Sequence, residues 1–462
     1  MTLNFQPVDS SVDVDIVSPP LLDPTIAAKY DHSKMRKAIA HWVLMHEHPF
    51  TVVEDEGFNF MMKMYNPAFE KISRKTTKND CIAVYDDQKK KLKNHLKGIS
   101  KISITTYLWK SQNQRIEYMV ITGHFVDANW RLQKRVFNFV HVSRPRRGVD
   151  IADAIYKCLK EWDLENKVFT VSVDNASYND SCLRFLREIF SRNKKLLCDE
   201  KLFHVRCCAH ILNLLVQDGL GEIGHIIENV HESVKYINQY EARKQTFSEI
   251  VQQLQLGTRK LVIDCPTHWN STFEMLSCAL KFKDVFPRFQ EREPNYDYLP
   301  TPEEWEKVEK VCEVLDVFNV VTNIISGSDY PTSNLYLSEI YRVKEILNLK
   351  SMDENDFIRG MVGKMKGKFD KYWGECNLLM VVGSILDSRC KLRLIEICFP
   401  EIYSEAEARN NIEQVLGALY QLYNEYVTAY NASSEHSFTQ ENSSNRYSLS
   451  SSSNSQLSTS SV

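Results

Sequence analysis

Between residues 101 and 217 the spacing of apolar side chains switches from every second residue to every third or fourth, and the order of the switches restricts the fold more than any other feature of the chain. Residues 101–108, 118–126 and 135–142 alternate as strands, and Asp127-Ala128-Asn129 makes a turn between the last two. Residues 151–162 have the spacing of an amphipathic helix, and 168–173 form a β-branched run. A helix follows at 177–192 with Ser177 as its N-cap, then a short strand at 202–206 and a helix at 209–217. Antiparallel strands followed by strands that alternate with helices predict an α/β fold, a mixed sheet with helices on both faces.

After Gly219 the pattern is nearly all helical, with helices over 222–255, 271–282, 333–348, 353–373, 377–397 and 405–430. Thr301-Pro302-Glu303-Glu304 is a capping box with Pro at the first helical position, and it opens a further helix to about residue 325. Before the sheet, Met35, Ile39, Trp42, Val43 and Met45 mark a helix that Pro49 ends. The run Phe60-Met61-Met62-Lys63-Met64 reads as the core of a second, ending at Asn66-Pro67. A basic helix over 81–96 is closed by Gly98. The expected organisation is a flexible arm (1–30), an N-terminal helical region (31–98), the α/β core (99–218), a helical domain (219–430) and a disordered tail (431–462), in which fourteen of the last thirty residues are Ser.

A chain of 462 residues, 43% of them hydrophobic, can bury two or three domains. No secretory leader opens it and no run reaches the roughly 18 apolar residues of a membrane span. The twelve cysteines lie mostly in apolar runs, the pattern of reduced thiols in an intracellular protein. A net charge of −3 does not announce a nucleic-acid partner, but the charge is uneven. Residues 71–101 carry ten Lys or Arg against three Asp, among them Lys75, Lys89, Lys90, Lys91 and Lys93. Residues 131–147 carry Arg131, Lys134, Arg135, Arg144, Arg146 and Arg147 and no acid. Both are candidate phosphate-binding patches, and a solvated helix face and a hairpin rim are their structural alternatives. No clear nuclear-import cluster appears, and Lys89-Lys90-Lys91-Leu92-Lys93 comes nearest to one.

Five blocks in order carry a resemblance to the hAT superfamily of DNA transposases, over roughly residues 34–430. Ile102-Ser103-Ile104-Thr105-Thr106-Tyr107-Leu108-Trp109-Lys110-Ser111 resembles the first catalytic strand, and Val171-Ser172-Val173-Asp174-Asn175-Ala176 the second. His204-Val205-Arg206-Cys207-Cys208-Ala209-His210 resembles the C-x-x-H block. Pro266-Thr267-His268-Trp269-Asn270-Ser271-Thr272 resembles the T-R-W-N-S-T block, and Leu386-Asp387-Ser388-Arg389-Cys390-Lys391-Leu392 the L-D-P-R-x-K-L block. The blocks are most similar to the plant ricesleeper-like group. The resemblance implies a ribonuclease-H-like sheet, a large all-helical insertion domain, DNA as partner and a nuclear location. Against the family pattern, the sequence is expected to lack an N-terminal BED zinc finger and a C-terminal dimerisation segment.

In active relatives, the resemblance implies, Asp, Asp and Glu hold Mg²⁺ ions about 4 Å apart for phosphoryl transfer. Asp174 matches the second Asp, Tyr107 stands at the first, and no Glu block is found. Asp174 is then a relic ligand or a strand-end cap, and the expectation is a degenerate core, not an enzyme, with no cofactor. Cys207 with His210 and Cys265 with His268 would in principle supply four zinc ligands. They lie about 55 residues apart, too far for common zinc modules, so no metal site is expected. Trp269 matches a family aromatic thought to stack on a flipped base; a core Trp is the alternative. The expected function is a transposase-derived protein that binds DNA weakly and without sequence preference. The competing expectation is a helical scaffold for other transposase-like proteins with no DNA contact.

Overall fold

The computed structural model describes residues 30–110, 116–142, 147–193, 196–257, 260–265, 268–327 and 330–449, with only the backbone at 110, 193 and 432–449. It falls into two compact units, one of residues 1–100 with 162–164 and one of the rest.

Three helices form the first unit, α1 (His32–Met45), α2 (Glu56–Tyr65) and α3 (Arg74–Lys97). Asp31, Asp55 and Ser73 cap them, each side chain accepting hydrogen bonds from first-turn N–H groups. Ile39, Ala40 and Val43 pack with Phe58, Phe69, Cys81 and Val84. Arg36 donates two hydrogen bonds to Asp80 at 2.6 and 2.9 Å, tying α1 to α3. Of the Met-rich run only Met62 packs on the core, and it is half-buried. Phe58 and Asn59 are buried, whereas Phe60, Met61 and Met64 are exposed. A ten-residue helix lying on its neighbours by one face cannot bury apolar residues that surround it.

The second unit is built on a five-stranded sheet of order β3-β2-β1-β4-β5. β1 (Ile102–Lys110), β2 (Glu117–Val126) and β3 (Leu132–His141) form an antiparallel meander. After α4 (Gly148–Glu161), β4 (Val168–Val173) returns parallel to β1, with Thr105 opposite Ser172. After α5 (Ser177–Asn193), β5 (His204–Arg206) pairs parallel to β4 and leads into α6 (Cys208–Leu220). This is the mixed sheet the sequence predicts. Ile102, Ile104, Met119, Ile121 and Phe137 are buried, as are Ile151, Ile155 and Leu159 of α4 and Cys182, Leu186 and Phe190 of α5. A Cβ at Gly148 would run into Ser181 and the backbone of Cys182, so glycine lets α4 start against α5.

Among the described residues ten further α-helices follow. They are α7 (Gly224–Gln239), α8 (Glu241–Gln253), α9 (Trp269–Leu280), α10 (Val285–Arg292), α11 (Pro302–Ile325), α12 (Tyr336–Lys350), α13 (Asp356–Trp373), α14 (Leu378–Ile385), α15 (Arg393–Ile402) and α16 (Glu405–Leu449). One core runs through them and α6, from Ile211 and Leu215 to Phe399 and Val415. The capping box at Thr301 and Glu304 forms with both of its hydrogen bonds. Two expected helices are each split. Tyr240 is extended and divides 222–255 into α7 and α8. Asp387 accepts from the Arg389 N–H and guanidinium, and Lys391 has φ of 53°, so the chain turns between α14 and α15. α16 runs through 449 rather than stopping near 430. Extending a formed helix adds a hydrogen bond per residue with no new nucleus, which a reading of composition alone does not weigh. Among the described residues no helix is long and apolar enough to cross a membrane.

Candidate nucleic-acid interface and carboxylate site

The β1–β4 pairing brings Tyr107 toward Asp174, because the register that sets Thr105 opposite Ser172 carries both strands' next outward side chains to one face. Asp174 follows the last residue of β4, and its backbone turn is closed by its own side chain. Oδ1 accepts the Ala176 N–H at 3.0 Å and the Asn179 Nδ2 at 2.6 Å, and the Asn179 amide also reaches the Asp174 carbonyl at 3.1 Å. Asp174 therefore caps the turn into α5.

Cys207 joins them from the start of α6, its N–H donating to the Val173 carbonyl at 3.1 Å. Burial pushes the Cys207 thiol up, the His210 and Ala209 N–H groups at the helix start oppose that, and the Asp174 carboxylate adds to it. The Tyr107 phenol is raised too, by burial first, then by Asp174 and Cys207. The cluster holds one carboxylate, one phenol and one thiol. Among the described residues no three of His, Cys, Asp and Glu gather as a metal ion would require.

The two basic segments have different fates. Helical spacing sets Lys75, Lys89 and Lys93 on one side of α3, away from the buried Thr77, Cys81 and Val84. Lys75 and Lys90 are exposed. Lys91 pairs with Asp87 at 3.5 Å and Lys93 with Asp163 at 2.9 Å. Lys89 lies over the Tyr85 and Trp162 rings at 5.6 and 5.3 Å. The 131–147 segment is not one patch. Arg131 and Lys134 sit at one end of β3 and Arg147 beyond the other, about 30 Å of extended strand apart. Arg135 is half-buried with its guanidinium on the Lys134 carbonyl at 2.8 Å, and Arg147 is held by Asp150 through two bonds of 2.8 Å. Arg144 and Arg146 lie outside the described residues.

Trp269 is core. It is 2% exposed at the first position of α9, with Phe273 at 6.4 Å between centroids. No base can reach it without opening the domain. One group of aromatics that does reach solvent lies on the open side of the meander. Trp109 stacks on Tyr118 at 5.8 Å and 28°, and Tyr118 on Phe139 at 4.7 Å and 14°. Sequence reading missed this ladder. Its signal was one aromatic on each of three consecutive strands, legible only once the register is known.

Comparison with known proteins matches three families by description. The "ZBED1 RNase-like domain" matches residues 105–202, the "ZBED1 RNase-like helical domain" residues 205–314, and the "hAT-like transposase, RNase-H fold" residues 334–426. Relatives include Zinc finger BED domain-containing protein RICESLEEPER 2 of Oryza sativa subsp. japonica, 32% identical over 87% of this chain and 56% of that protein. A Putative AC transposase of Zea mays is 31% identical over 90% of this chain and 51% of that protein. Zinc finger BED domain-containing protein DAYSLEEPER of Arabidopsis thaliana is 29% identical over 86% of this chain and 57% of that protein. The chain spans about half the length of these relatives.

Proposed function

Given that the chain belongs to the hAT transposase family, alongside the ricesleeper proteins and the maize AC transposase, we propose that it is a nuclear, transposase-derived DNA-binding protein whose catalytic centre is silent. The observation that carries this reading is Tyr107. Two-metal phosphoryl transfer needs carboxylates that converge on Mg²⁺, and here a neutral phenol faces the single carboxylate of Asp174. One oxygen of that carboxylate is already committed to the turn. This donor set does not fit Mg²⁺.

DNA binding is supported by the lysine side of α3 and by Arg131 and Lys134 at the end of β3, with exposed cations for phosphate. The relatives' names, a BED zinc finger in one set and a transposase in the other, both point to DNA. Contacts of this kind neutralise phosphate and do not read bases. Binding is then sequence-tolerant, with Kd of order 10⁻⁴–10⁻⁶ M at physiological salt. Fluorescence anisotropy on unrelated duplexes across a salt series tests it. Uniform affinities that fall steeply with salt are expected, and tight, salt-insensitive binding to one sequence overturns it. Incubation of transposon-end DNA with Mg²⁺ or Mn²⁺ is expected to leave it intact.

One observation favours a second reading, a scaffold for other transposase-like proteins. Phe60, Met61, Met64 and Tyr65 of α2 are 56–79% exposed, and such apolar surface suits a protein partner. Absence of DNA binding even at low salt decides for it.

A further inference from the structure

The open side of the meander carries a feature that phosphate neutralisation does not use. The Trp109, Tyr118 and Phe139 rings span three strands as a triangular cluster, Trp109 also meeting Phe139 at 6.3 Å and 42°, and the two outer residues stay open to solvent, Trp109 44% and Phe139 52% exposed. β1 runs past its last β4 partner at Thr105. Beyond that point, among the described residues, no β4 partner flanks it and no strand neighbours the outer side of Trp109.

The charges on this side suit a polyanion. Lys134, opposite His124 on β2–β3, is exposed, and Arg131 is exposed at the adjoining turn. The acids nearby are both engaged: Asp127 accepts the Asn129 and Arg131 N–H groups and the Gln133 amide, and Asp174 Oδ1 accepts from Asn179 and the backbone. Tyr107, itself 46% exposed, contributes no negative charge at neutral pH, its phenol being raised.

We infer that this ladder is a stacking platform for unpaired bases of single-stranded DNA. The inference rests on the DNA-binding reading above and adds the form of DNA preferred. The exposed parts of Trp109 and Phe139 offer a base what a further base offers in a strand. In a duplex the bases are already stacked and cannot use the platform. The lane from Lys134 to Phe139 along β3 is about 16 Å, room for roughly three extended nucleotides whose phosphates approach Lys134 and Arg131 while a base caps the ladder. Stacking of this kind is indifferent to sequence.

The test uses the full chain and three labelled probes of about twelve nucleotides, an oligothymidylate, the same backbone without bases, and a duplex. We expect the oligothymidylate to bind about tenfold more tightly than the abasic strand, the size of one stacked base. Trp109→Ala with Phe139→Ala is expected to remove that advantage and leave duplex affinity unchanged, while Trp109→Phe keeps it. Equal affinity for the strand with and without bases overturns the inference, with no substitution needed. So does an advantage that survives the double substitution. Loss of self-association in the double variant, with no change in strand binding, overturns it in favour of a second copy as occupant. Failure of every probe to bind at low salt overturns the DNA-binding reading together with it, whereas duplex binding without a strand preference removes the inference alone.

Discussion

The Asp174 carboxylate raises the pKa of the Tyr107 phenol across the β1–β4 pairing, adding to the effect of burial. The phenol at 107 thus feels the charge at 174, and the identity of residue 107 decides how strongly the junction attracts a cation.

Tyr107→Asp should turn that junction into a cation site of low affinity. Without metal, the second carboxylate beside the first is expected to cost about 1 kcal/mol at low salt, and millimolar Mg²⁺ should recover it as a rise in Tm. The unmodified protein should show no such rise. DNA cleavage should stay absent in the variant, since the family chemistry draws on three carboxylates. A Mg²⁺-dependent Tm rise in the unmodified protein that disappears on Asp174→Ala would show that Tyr107 does not block the site.

Trp269→Ala should behave as a core deletion. A loss of about 3–5 kcal/mol is expected in urea unfolding, with the affinity of the remaining folded protein for single strands unchanged. A selective loss of strand binding at full stability would instead make Trp269 a base contact.

Acid should destabilise the sheet before most carboxylates titrate. Burial lowers the pKa of His124 from 6.5 to about 4, helped by Lys134, and that of His204 from 6.5 to about 4, helped by Arg206 and Arg187. Both rings are held neutral in the fold, while the unfolded chain protonates them near 6.5. The stability they confer is therefore complete above that pH and is lost as pH falls toward 4, by about 2 kcal/mol for each ring. Urea midpoints at pH 7 and pH 4.5 measure it. His124→Gln, which keeps a partner for the Thr105 hydroxyl now 3.0 Å from the ring, should flatten part of the slope.

Replacing Lys75 and Lys90 with Gln should weaken duplex binding uniformly across sequences. Each phosphate contact removed lowers the slope of log K against log salt by about 0.9. An unchanged slope would place the phosphate contacts elsewhere than on α3.

The sheet and the start of α11 were legible because their signals are local: alternation in 118–126, β-branching in 168–173, and Thr301 and Glu304 three apart at a helix start. Boundaries that rest on one backbone dihedral, such as extended Tyr240 or Lys391 at φ 53°, leave no mark in a count of apolar spacing. Nor does the sequence say how much of an apolar run is covered. Met61 and Met64 suit a core as well as a surface, and what lies beside α2 decides. The site divides the same way. Tyr107 and Asp174 could be aligned by their blocks, but the Trp109 ladder exists only through pairings of β1 with β2 and β2 with β3. Trp269 reads in sequence as either a base contact or a core side chain, and its burial decides for the core.

Residues 162–164 belong to the first unit although the chain on both sides of them belongs to the second. Trp162 and Leu164 are 4% and 0% exposed, and Asp163 holds Lys93. During synthesis the first unit can therefore gather its helices early but cannot finish until the meander and α4 have left the ribosome. At that moment β1 has not yet met β4, which emerges just behind. A fragment cut at residue 100 would carry the mirror-image defect, a lysine-rich helix deprived of the tryptophan that Lys89 covers.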